Sequence, residues 1–192
     1  MNSLKRTFVL SSATLVICAL TLVGQPVQMQ EAETHSLIAF SSGRVFTMNP
    51  DGTARTQIGD FTGRDPTWSP DGSRLAFVRE DSTGLDQIWV MDSDGRNVRQ
   101  LTTLESNSID NPKHGPKWSP DGQWIAFTLG MMEPREVFMV TADGSQVLNV
   151  TNTPGVDENF LDWSPDGQRL LVRVLDGSNP GVYLVNRDGS AP

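Results

Sequence analysis

The feature that most constrains the fold of this chain is an internal repeat. The motif Trp-Ser-Pro-Asp-Gly occurs three times, starting at Trp68, Trp118 and Trp163, with spacings of 50 and 45 residues. Two residues after each motif an apolar run begins, and one further run near the start lacks the motif. These runs are 37–40, 74–79, 124–129 and 169–174. A repeat of this length indicates one small structural unit that recurs along the chain.

A second marker follows in every unit, because another apolar run ends in Asp-Gly. The four copies are Asp51-Gly52, Asp94-Gly95, Asp143-Gly144 and Asp188-Gly189. Asp-Gly between two alternating apolar runs predicts a tight β-hairpin, and short strands are expected after it near 56–58, 98–101 and 147–150. No stretch has a sustained helical period, so we predict an all-β chain. Four short antiparallel strands at this period predict the blades of a β-propeller.

The repeat resembles a known family. Trp-Ser-Pro-Asp-Gly, then Leu-Ala-Phe or Ile-Ala-Phe, then Ile-Trp-Val-Met-Asp-Ser-Asp-Gly, is similar to the TolB-type propeller repeat of bacterial envelope proteins. The resemblance covers about residues 37–190. It implies a propeller scaffold for protein or ligand binding in the cell envelope, with an envelope protein or peptide as the expected partner.

The motif residues are expected to be structural. Proline presets φ for the turn, aspartate and glycine suit the tight positions after it, and tryptophan is large enough to fill the wedge between neighbouring blades. We therefore assign no catalytic role to the motif. Its residues are Trp68, Pro70, Asp71, Gly72, Trp118, Pro120, Asp121, Gly122, Trp163, Pro165, Asp166 and Gly167.

The N-terminal segment has the pattern of an export signal. Lys5 and Arg6 precede the uncharged apolar run 7–23, which predicts a secretory signal cleaved near Gly24. The alternative is an uncleaved membrane anchor, since a bilayer span needs about 17 to 25 residues. Residues 25–36 are interpreted as a linker and 37–192 as the propeller repeats. This organisation predicts a periplasmic or secreted protein that meets the membrane only through residues 1–24, if these are retained.

Composition excludes several classes of function. The chain has 15 Lys and Arg against 23 Asp and Glu, a net charge of −8, which disfavours nucleic-acid binding. Its one cysteine, Cys18, lies inside the export segment, so the remainder can form neither a disulfide nor a thiolate metal site. Neither Gly-x-Ser-x-Gly nor His-Glu-x-x-His occurs. We expect a non-enzymatic protein without a cofactor.

One enzymatic alternative follows from the resemblance. Similar propellers form the gating domain of prolyl-oligopeptidase-like peptidases and the body of some polysaccharide lyases. In this alternative, the chain is the non-catalytic propeller portion of a longer peptidase or polysaccharide lyase.

Binding is expected on the face where the connections vary in length, because variable loops on a rigid scaffold usually carry function. The predicted loops are 41–44, 59–65, 79–86, 103–115, 129–135, 152–160 and 175–181. The candidate binding residues are Arg64, Asp65, Arg79, Glu80, Asp81, His114, Arg135, Asp157 and Glu158. The adjacent Asp157 and Glu158 are predicted to hold a cation or to meet a basic partner peptide.

The repeats do not close a ring by themselves. The pattern predicts three, four, four and three strands in successive units, about 3.5 blades, whereas the smallest propellers need about 16 strands. Three explanations remain open: a fragment of a longer protein, which we favour, a homodimer that completes the ring, or an open arc. The open arc leaves unpaired strand edges, which invite association.

Overall fold

The computed structural model describes residues 37–104, 113–130, 134–175 and 179–190. The chain divides into two units, Met1–Thr34 and His35–Pro192, and every described residue belongs to the second. The predicted signal segment and linker therefore lie outside the described residues.

The described residues form four antiparallel sheets in chain order, which we number blades 1 to 4. Blade 1 contains β1 (Ile38–Ser41), β2 (Arg44–Met48) and β3 (Thr56–Thr62). Blade 2 contains β4 (Arg64–Trp68), β5 (Arg74–Glu80), β6 (Asp86–Asp92) and β7 (Arg99–Gln100). Blade 3 contains β8 (Lys113–Trp118), β9 (Trp124–Leu129), β10 (Glu136–Thr141) and β11 (Val147–Asn149). Blade 4 contains β12 (Glu158–Trp163), β13 (Arg169–Val174) and β14 (Gly181–Asn186). Three, four, four and three strands are thus described, and the predicted all-β fold of four-stranded repeat units is confirmed.

The two turn motifs act as predicted. In the Pro-Asp-Gly turns, Gly72, Gly122 and Gly167 have φ of 70°, 68° and 66°, a conformation that costs glycine little because it has no Cβ. The turn closes when the Gly72 N–H donates to the Ser69 carbonyl at 2.8 Å. These turns fix the register between the first and second strands of blades 2 to 4.

The hydrophobic core lies between the blades. Successive side chains of a strand point to opposite faces of its sheet, so one set meets the preceding blade and the other set the following blade. In blade 2, Phe77 packs back against Val45 of blade 1, whereas Ile88 packs forward against Phe127 of blade 3. All four side chains are fully buried.

The junction between blades 3 and 4 repeats this arrangement. Val137 and Met139 of blade 3 pack against Trp163 and Leu170 of blade 4. Each blade therefore covers one face of its neighbour, as stacked repeat units must.

The first strands begin earlier than the sequence predicted. Residues 64–65, 113–115 and 158–160 were expected in loops, but they belong to β4, β8 and β12. Two of these strands contain a proline, Pro66 and Pro116. Because proline has no backbone N–H to donate, its presence in a sequence argues against predicting a strand there. The structure places both prolines at bulges, between Arg64 and Thr67 and between His114 and Lys117, where no ladder hydrogen bond is required of them.

Candidate binding face at the starts of the first strands

The first strands of blades 2, 3 and 4 run in the same direction, so their starting residues gather at one end of the arc. Arg64 and Asp65 open β4, Lys113 and His114 open β8, and Glu158 opens β12. We call this end the strand-start face. It brings together most of the predicted candidate residues, although on strand ends rather than in free loops.

Arg64 is held by an aspartate of its own blade. Its guanidinium donates to both carboxylate oxygens of Asp86, at 2.7 and 2.6 Å, and to the carbonyl of Lys113 at 3.3 Å. The hydrogen bond to Asp86 raises the pKa of Arg64. About a third of the arginine side chain, 37%, stays exposed, whereas Asp86 is 13% exposed. The pair therefore presents arginine rather than aspartate to solvent.

Lys113 lies beneath this pair and is 1% exposed. Its Nζ donates to the backbone carbonyl of Asp86 at 2.5 Å, which joins blade 3 to blade 2. Burial lowers the pKa of Lys113 to about 8, against the opposing attraction of Asp86 and Asp81. Sequence analysis did not identify Lys113 or Asp86, because no local pattern signals that a lysine will be covered by its neighbours.

His114 is half-buried between the charges of neighbouring blades. Burial, and then the nearby Arg64, lower the pKa of His114, so the ring is neutral at neutral pH. A neutral imidazole offers one donor and one acceptor nitrogen. Asp65 beside it on the same face is exposed, and its φ is 51°.

Arg135 and Asp157 connect blade 3 to blade 4. The guanidinium donates from Nε at 2.7 Å and from Nη2 at 2.6 Å, and the Arg135 backbone N–H adds a bond of 3.1 Å. The hydrogen bond from Arg135 keeps the pKa of Asp157 below its ordinary value. The Asp157 side chain is 0% exposed. Asp157 and Glu158 were both expected in an open loop, but Arg135 covers Asp157 and Glu158 already belongs to β12.

Glu158 is also enclosed, at 5% exposure. The Thr153 hydroxyl donates to its Oε1 at 2.8 Å, whereas no group in the described ranges lies within hydrogen-bonding geometry of its buried Oε2. Burial raises the pKa of Glu158. Across the described ranges, no three His, Cys, Asp or Glu side chains lie close enough to hold a metal ion together.

The three candidates at the end of β5 have separate positions. The Arg79 guanidinium lies over the rings of Phe61 and Trp89, at 5.0 and 4.8 Å from their centroids. Asp81 accepts from the backbone N–H and the hydroxyl of Thr83 at 2.8 and 2.6 Å, and so shapes the β5–β6 turn. Glu80 is exposed and lies within electrostatic range of Arg64.

The described part of the chain contains no helix with the length and hydropathy of a membrane span. No family model matches the chain.

Comparison with individual proteins is informative. The chain is 28% identical over 164 residues to the Tol-Pal system protein TolB of Bordetella pertussis, which covers 78% of this chain and 36% of TolB. It is 30% identical over 129 residues to an uncharacterized peptidase, YuxL, of Bacillus subtilis, which covers 62% of this chain and 18% of the peptidase. Among solved structures, a putative TolB from Agrobacterium tumefaciens superposes with a TM-score of 0.65 at 24% identity, over 80% of this chain and 58% of that one. The resemblance to TolB-type propeller repeats is thereby confirmed.

The TolB-like fold is shared with enzymes. An oligogalacturonate lyase from Vibrio parahaemolyticus superposes with a TM-score of 0.53 at 18% identity, over 74% of this chain and 40% of that one. At this identity the likeness concerns the fold alone. The chain spans between 18% and 36% of the length of the two curated relatives named above.

Proposed function

We propose that this chain is an exported, non-enzymatic propeller scaffold that binds a protein or peptide of the bacterial cell envelope through its strand-start face. The observation that carries the proposal is the convergence of the first strands of blades 2 and 3. They place Arg64, Asp65 and His114 on one rigid surface, and the exposed Glu80 lies within electrostatic range of Arg64. Similarity to the Tol-Pal system protein TolB supports an envelope partner.

The electrostatics of this face favour a polar protein surface. Arg64 and Arg135 are each matched by a carboxylate, and His114 is neutral, so the face carries both signs of charge in small groups. A protein surface with complementary charges and hydrogen-bonding groups can match such a pattern. Nucleic acid and anionic membranes need an unpaired basic patch, which a chain of net charge −8 is poorly suited to supply.

The proposal is tested by affinity capture followed by a measured affinity. The purified protein is immobilised, incubated with envelope extract of its own cells, and the captured partner is identified and purified. The triple variant Asp65→Ala, Glu80→Ala, His114→Ala removes three solvent-accessible side chains and leaves the buried ion pairs intact. We expect this variant to weaken the Kd of the purified partner at least about tenfold.

A matched control lies at the opposite end of the sheets. Asp94 and Arg96 are exposed in the β6–β7 turn, so the double variant Asp94→Ala, Arg96→Ala alters a similar number of charges away from the strand-start face. We expect no change in its Kd. Equal affinity of both variants for the partner would contradict the assignment of this face.

A second function is favoured by the similarity to the peptidase YuxL. In that case the chain is the propeller portion of a longer peptidase and has no catalytic residue of its own. The intact mass of the native polypeptide from its source cells separates the two proposals. A mass near that of residues 25–192 supports an exported scaffold whose signal is cleaved, and a much larger mass with peptidase activity supports the second function.

A further inference from the structure

A cavity lies between blades 2 and 3, at the end of the sheets that carries the Pro-Asp-Gly and Asp-Gly turns. Its volume is about 410 Å³, within the range of about 300 to 1,000 Å³ that is usual for small-molecule sites. Blade 2 contributes two arginines, and blade 3 contributes residues of its two turns. The lining includes Arg74, Arg99, Gln123, Ala142 and Asp143. This end is opposite to the strand-start face, because Arg74 begins β5.

The equivalent place in the next junction is filled by apolar side chains. Trp124 is the equivalent of Arg74, since each begins the second strand of its blade and lies opposite the end of the third strand. Leu148 is the equivalent of Arg99, since each is paired with the matching residue of its third strand. Trp124 and Leu148 pack in the core between blades 3 and 4. Between blades 2 and 3, two cations therefore occupy positions that complete the core elsewhere.

The Arg74 guanidinium is held in place without a hydrogen-bond acceptor. It lies 4.7 Å from the centroid of the Trp118 ring, and Trp118 is itself 7% exposed. Within the described ranges, no group accepts a hydrogen bond from this guanidinium. Stacking on a ring uses the face of a guanidinium and leaves its N–H edge available. Such an edge matches a planar carboxylate, to which it donates two parallel hydrogen bonds.

Arg99 supplies a second positive charge to the same cavity. Its guanidinium donates to the carbonyl oxygens of Ala142 and Asp143, at 2.6 and 2.9 Å. These bonds fix the arginine across the junction, and both acceptors are neutral. The charge of Arg99 is therefore not matched by the groups that hold it.

The acidic side chains at this end are engaged within their own turns. Asp71, which lies within electrostatic range of Arg74, accepts from two serine hydroxyls. Asp92 accepts from the side-chain amide of Asn97 at 2.6 Å, and Asp143 accepts from a serine hydroxyl at 2.7 Å. These carboxylates leave the arginine donors free, but their charge disfavours a multiply charged anion. A single carboxylate suits this balance better than a phosphate does.

We propose that the cavity between blades 2 and 3 binds a carboxylate ligand, which Arg74 holds through paired hydrogen bonds and Arg99 attracts through its charge. The ligand is a small organic acid or an acidic side chain of a peptide, since both present the same group. The turns of blade 3 then lie beside the remainder of the ligand. The inference goes beyond the proposed function and is independent of it, because the cavity lies at the other end of the sheets.

The test is a titration of the whole protein followed by proton–nitrogen correlation NMR, in about 0.15 M salt to screen non-specific attraction. Glutarate represents a free acid, and the capped peptide acetyl-Gly-Glu-Gly-amide represents an acidic side chain. Glutaramide and the matching Gln peptide are neutral controls, and inorganic phosphate is the competing anion. We expect saturable shifts of the Gly122, Gln123 and Asp143 amides with at least one carboxylate and none with the neutral compounds. The tighter of the two carboxylates identifies the source of the ligand.

Substitutions of Arg74 separate its fork of donors from its charge. Arg74→Met keeps the apolar stem and should weaken the Kd at least about tenfold. Arg74→Lys keeps the charge without the planar fork and should bind more weakly than wild type but more tightly than Arg74→Met. The matched control is Arg96→Met, which removes an arginine that is 83% exposed in the β6–β7 turn. It should bind as tightly as wild type.

The double variant Arg74→Trp, Arg99→Leu copies the next junction into this one. It should remain folded with the cavity filled, as thermal unfolding would show, and it should lose the carboxylate binding. Four outcomes would each overturn the proposal: no saturable shift with either carboxylate at millimolar concentration, equal shifts with the neutral compounds, binding unaffected by Arg74→Met, or phosphate bound more tightly than both carboxylates. None of them bears on capture of a partner by the strand-start face.

Discussion

At the scale of single residues, the serine of the repeat motif links the turn to the strand that follows. The Ser69 hydroxyl donates to the Asp71 carboxylate at 2.6 Å and accepts from the Arg74 backbone N–H at 2.9 Å. Ser119 and Ser164 repeat both bonds in the next two blades. The aspartate is therefore an acceptor at the centre of the turn, a role that turn propensity alone does not reveal.

This network predicts an acid-dependent loss of stability. Hydrogen bonds from Ser69 and then Ser73 lower the pKa of Asp71 to about 2, from an ordinary value of 3.8. A lowered folded-state pKa stabilises the protein above about pH 4, and this contribution is lost as the pH falls from there towards 2. Asp71→Asn keeps an acceptor but removes the titration, so its free energy of unfolding should fall less steeply over this range. Superimposable urea-unfolding curves for the two proteins at every pH would contradict the assignment.

The motif tryptophans differ in one hydrogen bond. The Trp118 indole N–H donates to the Thr67 carbonyl at 3.2 Å, and the Trp163 indole to the Lys117 carbonyl at 3.1 Å. Each acceptor belongs to the first strand of the preceding blade. Trp68 Nε1 is buried and has no hydrogen-bond partner among the described residues, which include no strand at the equivalent position of blade 1.

Phenylalanine substitution should separate packing from this hydrogen bond. Trp118→Phe removes indole volume and also leaves the Thr67 carbonyl without its donor. Trp68→Phe removes an indole N–H for which the described part of the chain offers no acceptor. We expect Trp118→Phe to cost about 1 to 3 kcal/mol more than Trp68→Phe. The measurement is guanidinium-induced unfolding of both variants. If Trp68→Phe is the more damaging change, the indole of Trp68 has an acceptor outside the described residues.

At the scale of elements, the two junctions of blade 3 are each crossed by an interaction between an acidic and a basic residue. The acidic residue precedes the basic one in the chain at the first junction and follows it at the second. Asp86 and Arg135 occupy equivalent positions immediately before Gln87 and Glu136, which lie opposite Arg79 and Leu129. Across the first junction Lys113 reaches the carbonyl of Asp86, and across the second Arg135 holds Asp157. Because the acidic residue comes first at one junction and the basic residue at the other, a blade packed in the wrong order would bring like charges together.

Removing the cation of the second junction should be costly. Arg135→Met keeps much of the apolar stem but leaves the Asp157 carboxylate buried without its arginine, which typically costs about 3 to 5 kcal/mol. The pKa of Asp157 should then rise, so the cost should shrink as the pH is lowered and the carboxyl protonates. The double variant Arg135→Met, Asp157→Asn should recover part of the loss at pH 7. Thermal unfolding of the three proteins decides the matter, and a double variant less stable than Arg135→Met would refute the argument.

The Asp-Gly turn also contacts the preceding blade. A Cβ built on Gly189 would lie 2.9 Å from the backbone oxygen of Val150, the last core residue of blade 3, whereas one built on Gly52 meets nothing within 4 Å. Both glycines have nearly the same backbone conformation, with φ of 80° and 83°. Comparing substitutions at Gly189 and Gly52 therefore separates the energetic effect of the contact between blades from the cost of a positive φ.

We expect Gly189→Ala to be the more destabilising of the two alanine variants. Both variants carry the strain of a left-handed residue, about 1 to 2 kcal/mol. Gly189→Ala adds an overpacking cost of about 1 to 3 kcal/mol, because the opposing atom is backbone and cannot rotate away. Urea unfolding monitored by tryptophan fluorescence gives both values. Equal destabilisation would show that the Val150 contact has little effect on the stability of the junction.

At the scale of the whole molecule, sequence analysis predicted the repeat much better than the binding face. The second and third strands alternate clearly and end in strong turns, so 124–129 and 169–174 were predicted with the bounds observed for β9 and β13. The face depends on contacts between blades. Asp157 is buried because an arginine 22 residues earlier, just before the third strand of the preceding blade, reaches it. A local sequence pattern does not show that Arg135 will reach Asp157 between two blades.

The distribution of the core predicts that the arc opens from its last blade. The junction between blades 2 and 3 buries Ala76, Val78, Ile125 and Phe127 completely, whereas β14 has three exposed apolar residues. In a stack of repeats each unit is stabilised by its neighbours, so a terminal unit can unfold while the centre persists. Native-state hydrogen exchange should therefore show amides of β14 at least about tenfold less protected than those of β5 and β9.

The comparison between the last blade and the central blades is made on a single dilute sample of the wild-type protein. Uniform protection of all four blades in dilute protein would show instead that the molecule unfolds as one cooperative unit. In that case the exposed face of β14 would not weaken the blade to which it belongs.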